Sequence, residues 1–247
     1  MSEAPIVLIT GARGGIGRQL AARLHAQGWR VAAVGRDATA LTDVPADARI
    51  SADTTTPEGA TAAIAQCKAL LDAAPTRLAH CVGNTLITPL HRTRAVQMRE
   101  VLRVNLESAL YMLGAWIDAM REPAQPGAAV FVSSVVARIG VANHEAIAAA
   151  KGGVEALARS AAATYAPAGL RINVVAPGMT DTPMTADMLK VPAMHEGAAK
   201  QYPLGGVQSA DDVAQVIAWL LSDAASRITG QVLPVDGGFA NIRPLVK

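Results

Sequence analysis

The sequence predicts an α/β chain: a single-domain Rossmann fold with a doubly wound seven-stranded parallel sheet and helices on both faces. Short apolar runs alternate with longer helical patterns from one end to the other, as successive βαβ units require. A glycine-rich turn lies between the first strand and the first helix. Of the 247 residues 51% are apolar and only 3% aromatic, so Ala, Val, Leu and Ile must fill the interior, as buried parallel strands demand.

Seven strands are expected near Ile6–Thr10, Arg30–Gly35, Ala48–Ala52, Leu78–Val82, Ala128–Ser133, Arg171–Ala176 and Gln231–Val235, each a short apolar or β-branched run. Helices fill the gaps near Gly15–Gln27, Pro57–Ala73, Ala95–Met120, His144–Tyr165 and Ala210–Ser222. Helix Ala95–Met120 carries Met98, Leu102, Leu106, Leu110, Leu113 and Ile117 in one stripe and Val101, Val104, Met112 and Trp116 outside it. More than one of its faces is apolar, so one should meet the sheet and another a second subunit. The stretch 179–203 has weak periodicity, with Pro183 and Pro192 and with Met184, Met188 and Met194. It reads either as a substrate lid or as a surface helix pair whose methionines fill gaps in the core.

Net charge is +2 with basic residues scattered, which argues against nucleic acid or an anionic membrane as partner. No apolar stretch approaches the ~18 residues of a membrane span. Cys67 and Cys81 lack metal-ligand spacing, no metal is expected, and Cys81 is placed at a buried strand end. A soluble, cytoplasmic protein is expected.

Gly11, Gly15 and Gly17 follow a strand and open a helix, the context in which a glycine pattern signifies a dinucleotide pyrophosphate. Gly11 serves the tight turn, Gly15 the backbone approach to the pyrophosphate and Gly17 the packing of helix on strand. The amides at Gly15, Ile16 and Gly17 face the anion. At the end of the second strand Gly35 stands where an acid would hold a ribose 2′-hydroxyl, and Arg36 follows directly. With Arg13 in the glycine turn, two guanidinium groups can meet a 2′-phosphate, which favours NADP over NAD. The alternative is two solvated surface arginines.

The spacing Gly-x-x-x-Gly-x-Gly resembles the short-chain dehydrogenase/reductase family, and the resemblance extends along almost the whole chain. It implies roles for Asp53 at the adenine ring, Asn105 in a helix, Ser134 and Lys151 at the active site, and Gly83 beside the cofactor. Pro177, Gly178 and Thr182 resemble the loop that seats the nicotinamide, and Tyr202-Pro203-Leu204-Gly205 and Val235-Asp236-Gly237-Gly238 complete the match. A homotetramer acting on a small-molecule substrate is also implied.

The departures are as informative as the match. The family's tyrosine stands four residues before the lysine, and here that position is Ile147. The family's Asn-Asn-Ala-Gly is His80-Cys81-Val82-Gly83, a change expected to matter little because that segment acts through packing and backbone. His144, three residues before Ile147 on nearly the same helical face, is the economical replacement acid, or else a solvated helix start. Lys151 could also donate through a water held by Asn105. The expected activity is hydride transfer between NADP(H) and a largely apolar carbonyl or alcohol. The alternatives are a non-catalytic NADP(H)-binding protein, serving as redox sensor or assembly subunit, and a reductase of a C=C or C=N bond.

Overall fold

The computed structural model describes residues 4–121, 125–243 and 245. Seven parallel strands form one sheet in the order β3-β2-β1-β4-β5-β6-β9: β1 (Ile6–Thr10), β2 (Arg30–Gly35), β3 (Ala48–Ser51), β4 (Arg77–His80), β5 (Gly127–Val132), β6 (Leu170–Pro177) and β9 (Val232–Val235). The winding direction reverses between β1 and β4. In such sheets a crevice opens there, beyond the carboxyl ends of the strands.

Strand β1 is buried along its whole length, so it is apolar without alternation. One core layer, with Leu8, Phe131 and Ile172 from the sheet, receives α2 (Pro57–Leu71), α4 (Ser108–Arg121) and α5 (Glu145–Tyr165). The opposite layer, with Val7, Ile9 and Val130, receives α1 (Gly15–Ala26) and α8 (Ala210–Leu221). Local chemistry sets the helix ends. The Thr56 hydroxyl accepts from the Gly59 amide at 3.1 Å ahead of Pro57, and Ser209 and Asp212 form a reciprocal capping box on α8. Trp116 is fully buried because its indole N–H donates to the Pro75 carbonyl at 2.8 Å.

Two expectations need correction. The continuous helix expected over Ala95–Met120 is instead α3 (Ala95–Leu102), a wide π-helical turn over Arg103–Glu107, and α4. The inserted turn rotates the remainder of the helix, so Asn105, Ser108, Met112, Trp116 and Met120 face inward and Leu110 stays 45% exposed. In the 179–203 stretch the surface helix pair of the second reading is present, and what needs correction is the core-filling role given there to its methionines. A short strand β7 (Thr180–Asp181) pairs in parallel with β8 (Gln208–Ser209), and α6 (Ala186–Leu189) and α7 (Pro192–Ala199) stand between them. Neither helix has a buried residue, so its methionines do not fill the core. Among the described residues no helix is long and apolar enough to cross a membrane, and no cluster of His, Cys, Asp or Glu could hold a metal.

Candidate active site

The crevice at the switch point holds a cavity of about 410 Å³. Its floor begins with the turn after β1. Gly11 has φ +67°, and a Cβ there would sit 2.7 Å from the Cys81 carbonyl oxygen. A Cβ on Gly17 would lie 2.5 Å from the Gly11 oxygen, so a side chain there would keep the helix from starting this close to the turn after β1. At Gly15 the close neighbour is the Thr182 methyl, 2.7 Å from a would-be Cβ. Helix α1 starts at Gly15 with no acidic residue in its first turn, which leaves its amino end electropositive.

Opposite the turn, Lys151 and Asn105 close on Gly83. A Cβ on Gly83 would lie 3.0 Å from Asn105 Oδ1 and 3.3 Å from Lys151 Nζ, so a side chain there would crowd both polar ends. Lys151 reaches up from α5 and donates to the Val132 carbonyl at 2.8 Å. Burial of its 7%-exposed side chain pushes the ammonium down to about 8. Asn105, on the wide turn, donates to Asn84 Oδ1 at 2.6 Å and to the Val101 carbonyl at 3.0 Å, and its Oδ1 accepts the Asn84 amide at 3.3 Å. Asn84 is thus part of this group, although its position directly after Gly83 points to a role in the loop rather than in the chemistry.

Ser134 follows β5, half-buried on the cavity wall; its Oγ accepts the Val136 amide at 3.4 Å, leaving the hydroxyl proton free. Ser133 instead points into α5, donating to Glu155 Oε1 at 3.0 Å. His144 lies just before α5, at the cavity wall. Its Nδ1 donates to the Ala142 carbonyl at 2.7 Å, which leaves Nε2 as the acceptor of the neutral ring. Ile147 is 4% exposed, between the cavity and a small apolar cluster with Val101, Ala146 and Ala150.

Of the residues expected to bind the cofactor, Gly15, Ile16, Gly17, Gly83, Lys151, Pro177, Gly178 and Thr182 line the cavity, whereas Gly11 does not. Arg13, Arg36 and Asp53 are outside it and exposed. Hydrogen bonds from Thr55 hold the Asp53 carboxyl below its usual range, with help from Arg103 and Arg36. Cys81 is half-buried just past β4 rather than within a strand, and burial pushes its thiol up to about 12. Tyr202 stands out in the sequence only as part of a segment. It lines the cavity, and its hydroxyl accepts the Met179 amide at 2.5 Å. Only long-range packing brings it there.

A family model described as enoyl-(acyl carrier protein) reductase matches residues 11–240. A short-chain type dehydrogenase/reductase from Mycobacterium ulcerans superposes with a TM-score of 0.90 at 28% identity, covering 97% of this chain and 91% of that one. The chain belongs to the short-chain dehydrogenase/reductase family. Among its relatives is cis-4-hydroxycyclohexanecarboxylate dehydrogenase of Sinomonas cyclohexanicum, 33% identical over 246 residues, 96% of this chain and 97% of that protein. The 3-ketoacyl-(acyl-carrier-protein) reductase of Brucella melitensis, solved with NADH, has a TM-score of 0.88 at 26% identity and covers 96% of this chain and 99% of its own. The glycine cradle, the acid-free helix start and the lysine at the crevice fit the nicotinamide dinucleotide that this family uses.

Proposed function

We propose that this short-chain dehydrogenase/reductase transfers hydride between NADP(H) and an uncharged, largely apolar ketone or secondary alcohol. The observation that carries the reading is the convergence of Ser134, Lys151 and Asn105 on one cavity that also includes the glycine turn. Its substrate side is walled by Ile87, Val136, Val141, Ile147, Met184 and Met188. Among the described residues no Asp, Glu or Arg lines the cavity, and Lys151 and His144 are its basic side chains. Residues 179–203 serve as the substrate lid, with Met184 and Met188 as the adaptable apolar contacts.

When bound, the cofactor supplies or accepts the hydride; the protein's task is binding and proton handling. The amide ends at Gly15, Ile16 and Gly17 hold the pyrophosphate, Asp53 the adenine end, and Pro177, Gly178 and Thr182 the nicotinamide end. Lys151 holds the nicotinamide ribose through the ammonium protons not engaged by Val132. Ser134 donates its free hydroxyl proton to the substrate oxygen and fixes its place. In alcohol oxidation the Nε2 lone pair of His144 takes the hydroxyl proton. In ketone reduction His144 must first be imidazolium to return it.

The test is a cofactor-turnover screen of ketones, aldehydes, enones and imines. It includes cyclohexanone, methyl 4-oxocyclohexanecarboxylate and the free 4-oxocyclohexanecarboxylate. The neutral ring ketones are the expected substrates, with the carboxylate at least about tenfold poorer in kcat/KM because an unpaired charge must be desolvated against an apolar wall. Preference for the carboxylate would overturn the charge argument. A second reading, reduction of a polarised C=C bond, is favoured by Ile147 itself. Hydride added β to a carbonyl leaves an enolate that takes its proton on carbon, so no hydroxyl beside Lys151 is needed. Turnover confined to enones would establish it, and silence across the screen would leave the non-catalytic cofactor-binding reading.

The NADP preference rests on Arg13 and Arg36. Among the described residues neither forms a direct ion pair, although Arg36 lies within electrostatic range of Asp53 and Glu100, and Arg13 of Asp37. NADPH is expected to bind about 10- to 100-fold more tightly than NADH, and Arg36→Ala to remove most of that difference. Equal dissociation constants for the parent in titration calorimetry would mean that these arginines are solvated surface groups.

A further inference from the structure

We propose that His80 is a positioning residue that ties the cofactor turn to the wide helical turn presenting Asn105. His80 ends β4 with its side chain 2% exposed, away from the cavity wall, and a core position of that kind is ordinarily apolar. Instead its ring bridges two elements. Nδ1 lies 2.8 Å from the Thr10 hydroxyl and Nε2 lies 3.0 Å from the Ser108 hydroxyl. Thr10 is the last residue of β1, directly before Gly11. Ser108 is the first residue after the π-helical turn.

The protons along these hydrogen bonds can be assigned from the far end. In an α-helix the Ser108 amide would bond to the Val104 carbonyl. Here it bonds to the Arg103 carbonyl, five residues back, and the Ser108 hydroxyl donates to Val104 at 2.6 Å. With its proton committed there, Ser108 can only accept, so His80 carries its proton on Nε2. Nδ1 must then accept from Thr10. Burial, with the Lys151 charge as the lesser cause, pushes the ring down to about 3 and keeps it neutral, so the bonds keep one direction: Thr10 to His80 to Ser108 to Val104.

These bonds act on the site through the wide turn. An extra residue in a helix costs regular hydrogen bonding, and such turns persist only where neighbours hold them. His80 holds this one from the sheet side, while Asn84 holds Asn105 from the cavity side. Asn105 and Lys151 meet at Gly83, three residues beyond His80 on the same strand-to-loop segment. The His80 ring thereby sets the height of Asn105 against the glycine turn. The segment His80–Gly83, expected to work mainly by packing and backbone contacts, would on this proposal also act through the side chain of its first residue.

Hydrogen exchange read by mass spectrometry and the NADPH dissociation constant test this without relying on any substrate, so failure of the ketone reading and failure of this one are distinguishable. His80→Leu is expected to speed exchange in peptides spanning 101–110 by about tenfold or more while α2 exchanges as before, and to weaken NADPH by about fivefold. His80→Gln, which retains one donor and one acceptor at similar reach, should recover most of both. Ser108→Ala and Thr10→Val each remove one link, and Ser108→Ala should loosen 101–110 even if His80→Leu does not fold. Unchanged exchange over 101–110 in Ser108→Ala and in whichever His80 variant folds would overturn the proposal. So would an equal rise in α2, which would mark a general loss of stability, or a His80→Gln protein as loose as His80→Leu.

Discussion

Ile147→Tyr is expected to raise kcat/KM for ketone reduction by about 10²–10⁴-fold, the contribution of a positioned general acid. Residue 147 lies one helical turn before Lys151, so a phenol there stands beside an ammonium that favours its ionised form and lowers its pKa. Ile147 is 4% exposed and its inner side is filled by Val101, Ala146 and Ala150. The larger ring must therefore project into the cavity of about 410 Å³, where the substrate oxygen needs the proton. NADPH affinity should stay within about twofold, because Lys151 and the glycine turn are untouched. The measurement is steady-state turnover of the variant beside the parent over the same screen. If the variant binds NADPH normally, gains nothing on any ketone, and the parent is also inactive, carbonyl reduction is abandoned.

Lys151→Met should separate stability from function by a comparably large effect. The Lys151 ammonium is held at about 8 against an ordinary 10.5, with burial as the first cause, a gap worth about 3 kcal/mol against the folded state when the group is charged. At pH 7 the whole of that cost is present. As pH rises from about 8 to 10.5 the folded protein releases a proton that the unfolded chain still holds, so stability rises with pH across that window. Methionine removes the charge and keeps the stem. Cofactor-free Lys151→Met is expected to melt about 4–10 °C higher at pH 7, allowing for the lost hydrogen bond to Val132, and to lose the stability rise at alkaline pH. NADPH binding and turnover should fall with it. A melting temperature at or below that of the parent at pH 7, read by calorimetry, would show that the buried ammonium carries no such cost.

The seven parallel strands and the glycine turn were readable from the residues, whereas Ser134, Asn105 and Lys151 were singled out by the resemblance to the family. The first two depend on local or periodic chemistry: apolar runs and a strand-to-helix glycine pattern. The break in Ala95–Met120 was not. Its apolar stripe counts equally well as one continuous helix. In the wide turn the side chains of Ser108 and Asn105 bond back to the Val104 and Val101 carbonyls, and His80 and Asn84, distant in the chain, bond to the same two side chains. The 179–203 stretch gave no period because neither of its short helices buries a face, and hydrophobic periodicity records only burial.

By itself, then, the sequence determined the parallel sheet, the nucleotide turn and the absence of a tyrosine before Lys151, since these are properties of consecutive residues. Tertiary structure decided which side chains share a proton network and which merely sit near one another in the chain. It put Asn84 on Asn105, Tyr202 against Met179, and His80 between Thr10 and Ser108, partners 21, 23, 70 and 28 residues apart. Hydrogen bonds form over about 3 Å, so such partnerships are set by the packing of helices on the sheet, and spacing along the chain carries no record of them.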